Sequence, residues 1–310
     1  MIDAAVEELR TAGLAGVRRD AALADLTTLR VGGPARLLVT AERDADLAAI
    51  GRVAARHGLP WVVVGRGSNL LVADEGWPGI AIVLGRGFRG IEVDDTAARG
   101  RVRAGAAEPL PTLAVRVADA GFTGFAWACA VPGTLGGAVR MNAGAHGGDM
   151  ASALVEVDLV RLRTGVRETW VPEALGFAYR RSQLPEDAVV VSGTLELDRG
   201  DPAEVRAEMD AIRTWRRTHQ PLNHPNCGSV FTNPPGDHAG RLIDAAGCKG
   251  LTIGGAAVSE RHANFIVTRP GATAADVVAV IEEVQRRVRD ASGVELTAEV
   301  VRLSPAPVAP

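Results

Sequence analysis

The chain has 310 residues, 47% of them hydrophobic, with 34 lysines and arginines against 37 aspartates and glutamates. The length favours two or three packed units and the apolar share suffices for folded cores. The near-neutral charge offers no basic face of the kind that nucleic-acid or membrane-surface binders show, and no apolar run approaches the roughly 18 residues that would span a bilayer.

The three cysteines, Cys129, Cys227 and Cys248, are far apart and form no CxxC pair, so neither a zinc site nor a disulfide framework is favoured. The start, MIDAAVEELR, is acidic and helix-like and lacks the basic, then apolar, pattern of a secretion signal. A soluble, cytoplasmic protein with no nucleic-acid or membrane partner is expected.

In chain order, 44–57 (DADLAAIGRVAARH) has helical periodicity and stops at Gly58, a glycine C-terminal signal. WVVV (61–64), LLV (70–72), IAIVL (80–84), IEVDD (91–95) and RVRAGAA (101–107) make a strand-rich stretch punctuated by glycine. A helix is expected over 111–121, a glycine-rich stretch covers 132–148, and strands are expected at 158–163 and 188–197. Asp201, Pro202 and Glu204 form a helix-start signature for a helix reaching about Arg217. Thr273 begins a second long helix that ends near Gly293, with apolar positions at Val277, Val280, Ile281, Val284 and Val288. SVFT, ANFIVT and LTAEVVRL read as strands, and a domain boundary is placed near residue 200. The proline-rich end, SPAPVAP, reads as a frayed tail.

The glycine-rich loops carry the functional question. LGRGFRG matches G-x-G-x-x-G through Gly85, Gly87 and Gly90, but a strand follows it. A dinucleotide fingerprint needs a helix there, because the helix N-terminus holds the pyrophosphate. The match is therefore read as a turn between strands. In VVVGRGSNLLVADEG, Gly65 and Gly67 allow unusual backbone angles, and Ser68 and Asn69 add polar groups. That loop reads either as an anion-binding nest or as a plain hairpin turn. PGTLGGAVRMNAGAHGG (132–148), with six glycines, suits a flat or phosphorylated ligand pressed on the main chain, though tight turns between buried strands would use it too.

Eight stretches in order, TTLRVGGPA, GRGSNLLVADEG, PGTLGGAVRMNAGAHG, YRRSQL, NCGSVFTNP, RLIDAAGCKG, IGGAAVSERHANFIV and AEVVRL, resemble the UDP-N-acetylenolpyruvoylglucosamine reductase (UDP-N-acetylmuramate dehydrogenase) family over roughly 27–303. The resemblance implies an α+β protein: an N-terminal helical segment (1–26), an FAD-binding region of the p-cresol methylhydroxylase/vanillyl-alcohol oxidase type (27–200), a C-terminal α+β substrate-binding domain (201–305) and a flexible tail (306–310). It implies non-covalent FAD, held by Gly65, Gly67, Ser68, Asn69 and Leu70 in one loop. In the second loop the cofactor residues would be Pro132, Gly133, Thr134, Gly136, Gly137, Asn142, Ala143, Gly144 and Ala145.

The family reaction implied is ping-pong. NADPH reduces the flavin, and flavin N5 then gives hydride to C3 of an enolpyruvyl ether while an acid protonates C2. By motif position Ser229 is that acid, Arg180 bears on the substrate carboxylate, and Glu299 is the third catalytic residue. Tyr179, Asn233, His262 and Asn264 are implied around the substrate, UDP-N-acetylglucosamine enolpyruvate, in a monomer serving peptidoglycan synthesis.

Family members often carry lysine where this chain has Thr232. Tyr179 is the only tyrosine, which places the chain with the shorter type lacking an extra tyrosine-bearing loop. Two rival readings stand beside this one. One is another FAD oxidoreductase of the same fold acting on an alcohol or sugar, for which His146 would be a covalent tether. The other is a non-catalytic nucleotide-binding module, against which the joint presence of Ser229, Arg180 and Glu299 counts.

Overall fold

The structure is a computed structural model that describes residues 1–96 and 99–305. The expected tail, 306–310, lies outside the described residues. The chain forms two compact units, one of 1–19, 37–65 and 79–215, the other of 20–36, 66–78 and 216–310.

In the first unit, a five-stranded antiparallel sheet runs Arg167–Trp170, Leu154–Arg161, Ala188–Leu197, Gly100–Gly105, Ile91–Asp94 in spatial order. Ala188–Leu197 is central and buried at nine of its ten positions, the polar Ser192 and Thr194 among them, as befits a strand covered on both faces. Phe122, Phe125, Leu110, Leu113 and Leu135 fill a core with Val157, Leu159 and Leu195 of that sheet. A second core sets Val6, Leu9, Leu47 and Ile50, from helices Ile2–Thr11 and Asp44–His57, against Leu37, Val39, Ile80 and Ile82. Gly58 ends the second of these helices in the left-handed conformation, as expected. The G-x-G-x-x-G match at 85–90 is a 3-10 turn, Arg86–Phe88, between two strands and not a helix start.

In the second unit, a four-stranded antiparallel sheet runs Asn226–Ser229, Phe265–Thr268, Ala256–Val258, Thr252–Ile253. Helix Ala274–Ser292 buries Val277, Val280, Ile281, Val284 and Val288, an i, i+3, i+4, i+7, i+11 stripe. Thr273 and Asp276 close a capping box at its start. Leu70–Val72 pairs in parallel with Val301–Leu303, and both carboxylate oxygens of Asp74 accept from Ala274 and Ala275 N–H at 2.7 and 2.9 Å. These long-range pairings join 66–78 to the C-terminal core, so each compact unit is discontinuous along the sequence. Two short helices, Leu135–Met141 and Ala239–Ala245, were not foreseen. Among the described residues no helix is long and apolar enough to cross a membrane.

Candidate active site

The expected residues fall into two groups, one in each unit. In the second unit the Ser229 strand is set by a bulge. Asn226 faces Val267 and Ser229 faces Phe265, so three steps on one strand oppose two on the other. Gly228 takes up the extra residue at φ +76°, and its N–H donates to the Asn226 side-chain oxygen at 3.0 Å. A bulge of this kind re-aims the side chain that follows it, here Ser229. Asn264, buried, lies alongside. Its carbonyl oxygen accepts from Val230 N–H (2.9 Å), its Oδ1 from Phe231 N–H (3.0 Å), and its Nδ2 donates to Phe231 O (2.8 Å). The carboxamide thus serves as a strand partner for the residues just after Ser229.

Glu299 is on the other side of that segment. Its N–H donates to Val230 O at 2.7 Å and its carbonyl accepts from the Asn69 amide at 3.1 Å. The side-chain donor of Asn69 is therefore engaged within the protein, beside the Val301 N–H that donates to Asn69 O at 3.0 Å. Burial pushes the Cys227 thiol up to about 12, and the nearby Glu299 charge acts in the same direction. That cysteine stays a protonated core residue, not a nucleophile.

Ser229, Asn233, His262 and Asn264 all line one groove of about 410 Å³, together with His238, Arg241, Lys249 and Arg261. Asn233 Oδ1 accepts from Ala239 N–H at 3.0 Å, holding the first turn of helix Ala239–Ala245. His262 Nδ1 accepts from Asn264 N–H at 3.3 Å, which puts the proton of the neutral ring on Nε2. Its ring meets Phe265 edge-on at 4.7 Å. Lys249 pairs with Asp244 at 2.6 Å, Arg241 with Asp237, and Arg261 Nη1 donates to Arg217 O at 3.1 Å. Three cations in a polar groove suit a phosphorylated ligand. Sequence reasoning missed them, although RLIDAAGCKG carries two of the three at opposite ends of a short apolar run.

In the first unit the glycine-rich 132–148 stretch is anchored along its backbone. Leu110 N–H donates to Gly133 O, Leu135 N–H to Glu108 O and Gly136 N–H to Ala106 O, at 2.9–3.1 Å. Thr134 caps helix Leu135–Met141 by accepting from Gly137 N–H. A Cβ on Gly65 would stand 2.9 Å from Thr134 Oγ1, so the two glycine loops touch there only because residue 65 has none. Asn142 ends the helix left-handed at φ +41°, buried, and its carboxamide is engaged by Ala178, Asp149 and Ala151. Tyr179 and Arg180 form the tip of a tight turn closed by paired Ala178–Arg181 backbone bonds of 2.9 and 3.0 Å. Arg180 has φ +58°, and its guanidinium carbon lies 5.0 Å from the Tyr179 ring centre. His146 meets Trp215 edge-on at 5.2 Å.

Each unit also holds buried side-chain donors with no hydrogen-bond partner, Trp127 in the first and Thr28 and Trp77 in the second. The indole N–H of Trp127 is buried without a partner against the Gly148 backbone, and the Thr28 hydroxyl is likewise orphaned, one residue along from the turn where Cβ-less Gly67 (φ +59°) presses on Leu26 and Thr27. Buried donors of this kind call for acceptors from a bound group.

Comparison with known proteins agrees. Residues 35–169 match the family model "FAD binding domain", and 220–303 match "UDP-N-acetylenolpyruvoylglucosamine reductase, C-terminal domain". Together these define a two-part, FAD-containing oxidoreductase. The chain is 49% identical to the UDP-N-acetylenolpyruvoylglucosamine reductase of Heliobacterium modesticaldum over 88% of this chain and 86% of that protein. It is 44% identical to that of Azorhizobium caulinodans over 97% and 94%. The crystal structure of the Thermus caldophilus enzyme superposes with a TM-score of 0.80 at 37% identity, covering 93% of this chain and all of that one. A variant of Physcomitrella patens BBE-like 1, at 14% identity and a TM-score of 0.57, shares the fold alone. The chain belongs to the UDP-N-acetylenolpyruvoylglucosamine reductase family, and FAD is its cofactor.

Proposed function

We propose that this chain reduces UDP-N-acetylglucosamine enolpyruvate to UDP-N-acetylmuramate with NADPH as donor, in peptidoglycan precursor synthesis. FAD, when bound, supplies the hydride carrier between donor and substrate. The chain's own residues hold the substrate, stabilise charge on its carboxylate and deliver a proton to C2.

The observation that carries this reading is the groove of the second unit, which Ser229 lines together with Asn264, His262, Arg241, Lys249 and Arg261. These cations would take the diphosphate of a nucleotide sugar, and Asn233 and His262 would contact the sugar. Ser229 Oγ–H is the proton donor; the bulge at Gly228 aims it, and Glu299, whose N–H donates to Val230 O on the adjoining segment, sets the electrostatics of proton delivery. A serine hydroxyl is a weak acid, so it works only where it meets the developing carbanion directly. Arg180 would accept the substrate carboxylate in a planar fork and favour charge spreading from C2 onto it. The backbone of 65–70 and of 132–145, with Thr134, Trp127 and Thr28, would hold the cofactor.

An anaerobic experiment tests the reading. The yellow protein is bleached with one equivalent of NADPH, and UDP-N-acetylglucosamine enolpyruvate is then added. Return of the flavin absorbance, with UDP-N-acetylmuramate as product, is expected; a flavin that stays bleached until oxygen is admitted rejects it.

A further inference from the structure

Helix Leu135–Met141 follows the Thr134 turn directly, and its C-terminal end bonds two downstream segments, 149–151 and 178–188. We propose that Asn142 is a positioning residue for Arg180, acting through its carboxamide on the Tyr179–Arg180 turn. The inference rests on the reading of Arg180 as the group that binds the substrate carboxylate.

Asn142 is buried and left-handed at φ +41°, a conformation that asparagine tolerates better than most residues. In that pose Oδ1 accepts from Ala151 N–H at 3.0 Å and Nδ2 donates to Ala178 O at 3.1 Å. Ala178 O is also the acceptor that closes the turn, taking Arg181 N–H at 3.0 Å. One oxygen therefore joins the carboxamide to the base of the turn. On the far side, Ser182 Oγ donates to Arg140 O at 2.7 Å, and the Arg140 guanidinium donates to Leu184 O and Pro185 O, each at 3.1 Å.

Between these two clamps sits Arg180 at φ +58°. A non-glycine residue in that region persists only where its surroundings over-determine it. Bonds from the helix end flank this turn beside its own Ala178–Arg181 pair, and the helix begins at the turn expected to face the cofactor. A buried amide that makes three such bonds fixes where the guanidinium starts, and about 1 Å of drift at a charge-stabilising group is enough to cost up to a hundredfold in rate.

The test is a double-mutant cycle on the FAD-loaded protein. Asn142→Gly keeps the left-handed cap and removes the carboxamide; Asn142→Asp keeps the acceptor for Ala151, removes the donor to Ala178 and sets a carboxylate beside Asp149, a cost that the cycle cancels because it is present in both Arg180 backgrounds. Each is combined with Arg180→Ala, with flavin content and thermal melting recorded separately. Each single variant at 142 should slow substrate-driven flavin reoxidation about ten- to a hundredfold. In the Arg180→Ala background the same change should add less than about twofold, because the group being positioned is gone. Fully multiplicative losses overturn the proposal, as does an Asn142→Asp enzyme with the parental rate. If Asn142→Gly fails to fold, the Asn142→Asp cycle alone decides. An Arg180→Ala enzyme that reoxidises at the parental rate instead refutes the role of Arg180, and slow variants at 142 beside it also refute positioning through that residue.

Discussion

The backbone N–H of Glu299 donates to the carbonyl of Val230 at 2.7 Å, while the Glu299 carbonyl takes the Asn69 amide at 3.1 Å. These bonds thus link three motifs distant in sequence: the end of the GRGSN loop, the Glu299 segment and the segment that carries Ser229. They are made by the Glu299 and Val230 main chain and the Asn69 carboxamide, and the Ser229 side chain takes no part in them.

Ser229→Ala removes the proposed proton donor without disturbing those bonds. Flavin reduction by NADPH should keep its rate, while reoxidation by substrate should fall by about 10²–10⁴, the usual worth of a positioned acid. Stopped-flow traces of the two half-reactions make the comparison, and equal losses in both would mark Ser229 as structural.

Gly228→Ala addresses the bulge. There is open space around the position, so no clash arises, but φ +76° is unfavourable for alanine by about 1–2 kcal/mol. The chain can relieve this only by flattening the bulge and turning Ser229. We expect a small drop in melting temperature and a larger loss in the reoxidation rate. A variant with parental reoxidation would show that the bulge does not aim the serine.

Much of this arrangement could be read from residue patterns, and the failures have physical causes. Ala188–Leu197 and Ala274–Ser292 are long and strongly patterned, so period alone finds them. Helix Leu135–Met141 contains two glycines in seven residues, and its propensity argues against it; the Thr134 cap and the backbone bonds to 106–110 override that preference. The discontinuity of each unit is invisible locally, since nothing in LLV announces a partner at 301–303. Ser229, Asn233, His262 and Asn264 were found through family resemblance, and they do share one groove. Arg241, Lys249 and Arg261 read as ordinary surface charges until the fold gathers them.

Asn264→Ala should destabilise the second unit by about 3 kcal/mol, because both polar groups of Phe231 lose their buried partner. Urea denaturation measures this as a lower midpoint at unchanged slope. Asn264→Asp keeps the acceptor for Phe231 N–H but sets a carboxylate oxygen against Phe231 O, and should be no better than alanine. A cost below about 0.5 kcal/mol for either would remove Asn264 from the support of the Ser229 strand.

His262 is held below its ordinary value by burial first, with the charges of Lys249 and His219 adding to the effect. The unfolded chain therefore binds this proton more readily than the native one. Stability from the neutral ring is complete above about pH 6.5 and declines as pH falls from there towards the lowered native value. His262→Gln should flatten the stability profile below pH 6.5 and leave it parallel to the parent above. A parent profile with no decline between pH 6.5 and 5 would contradict the assignment.

Asp158, buried on the sheet of the first unit, is held far below the usual carboxylate range: bonds from Thr169, Arg167, Ser192 and Arg103 outweigh the penalty of burial. Thr169 Oγ1 donates to Oδ1 at 2.6 Å, and Arg167 and Ser192 each donate to Oδ2 at 2.8 Å, with Arg103 on the same oxygen. Removing one partner of such a network leaves opposed charge without compensation, so Asp158→Asn should cost about 3–5 kcal/mol. The sign with pH follows from the depressed value. The carboxylate's contribution is complete above the unfolded value near 3.9 and is lost as pH falls below it. Acid unfolding of the parent should therefore steepen below about pH 4, and the variant should lose that component while keeping the His262 step. Because the bonds of Asp158 go to Thr169, Arg167, Ser192 and Arg103, none of them assigned to the site, kcat of the folded variant at low temperature should match the parent. A variant that melts normally would show that Arg103 and Arg167 find sufficient partners in Glu156 and Asp44.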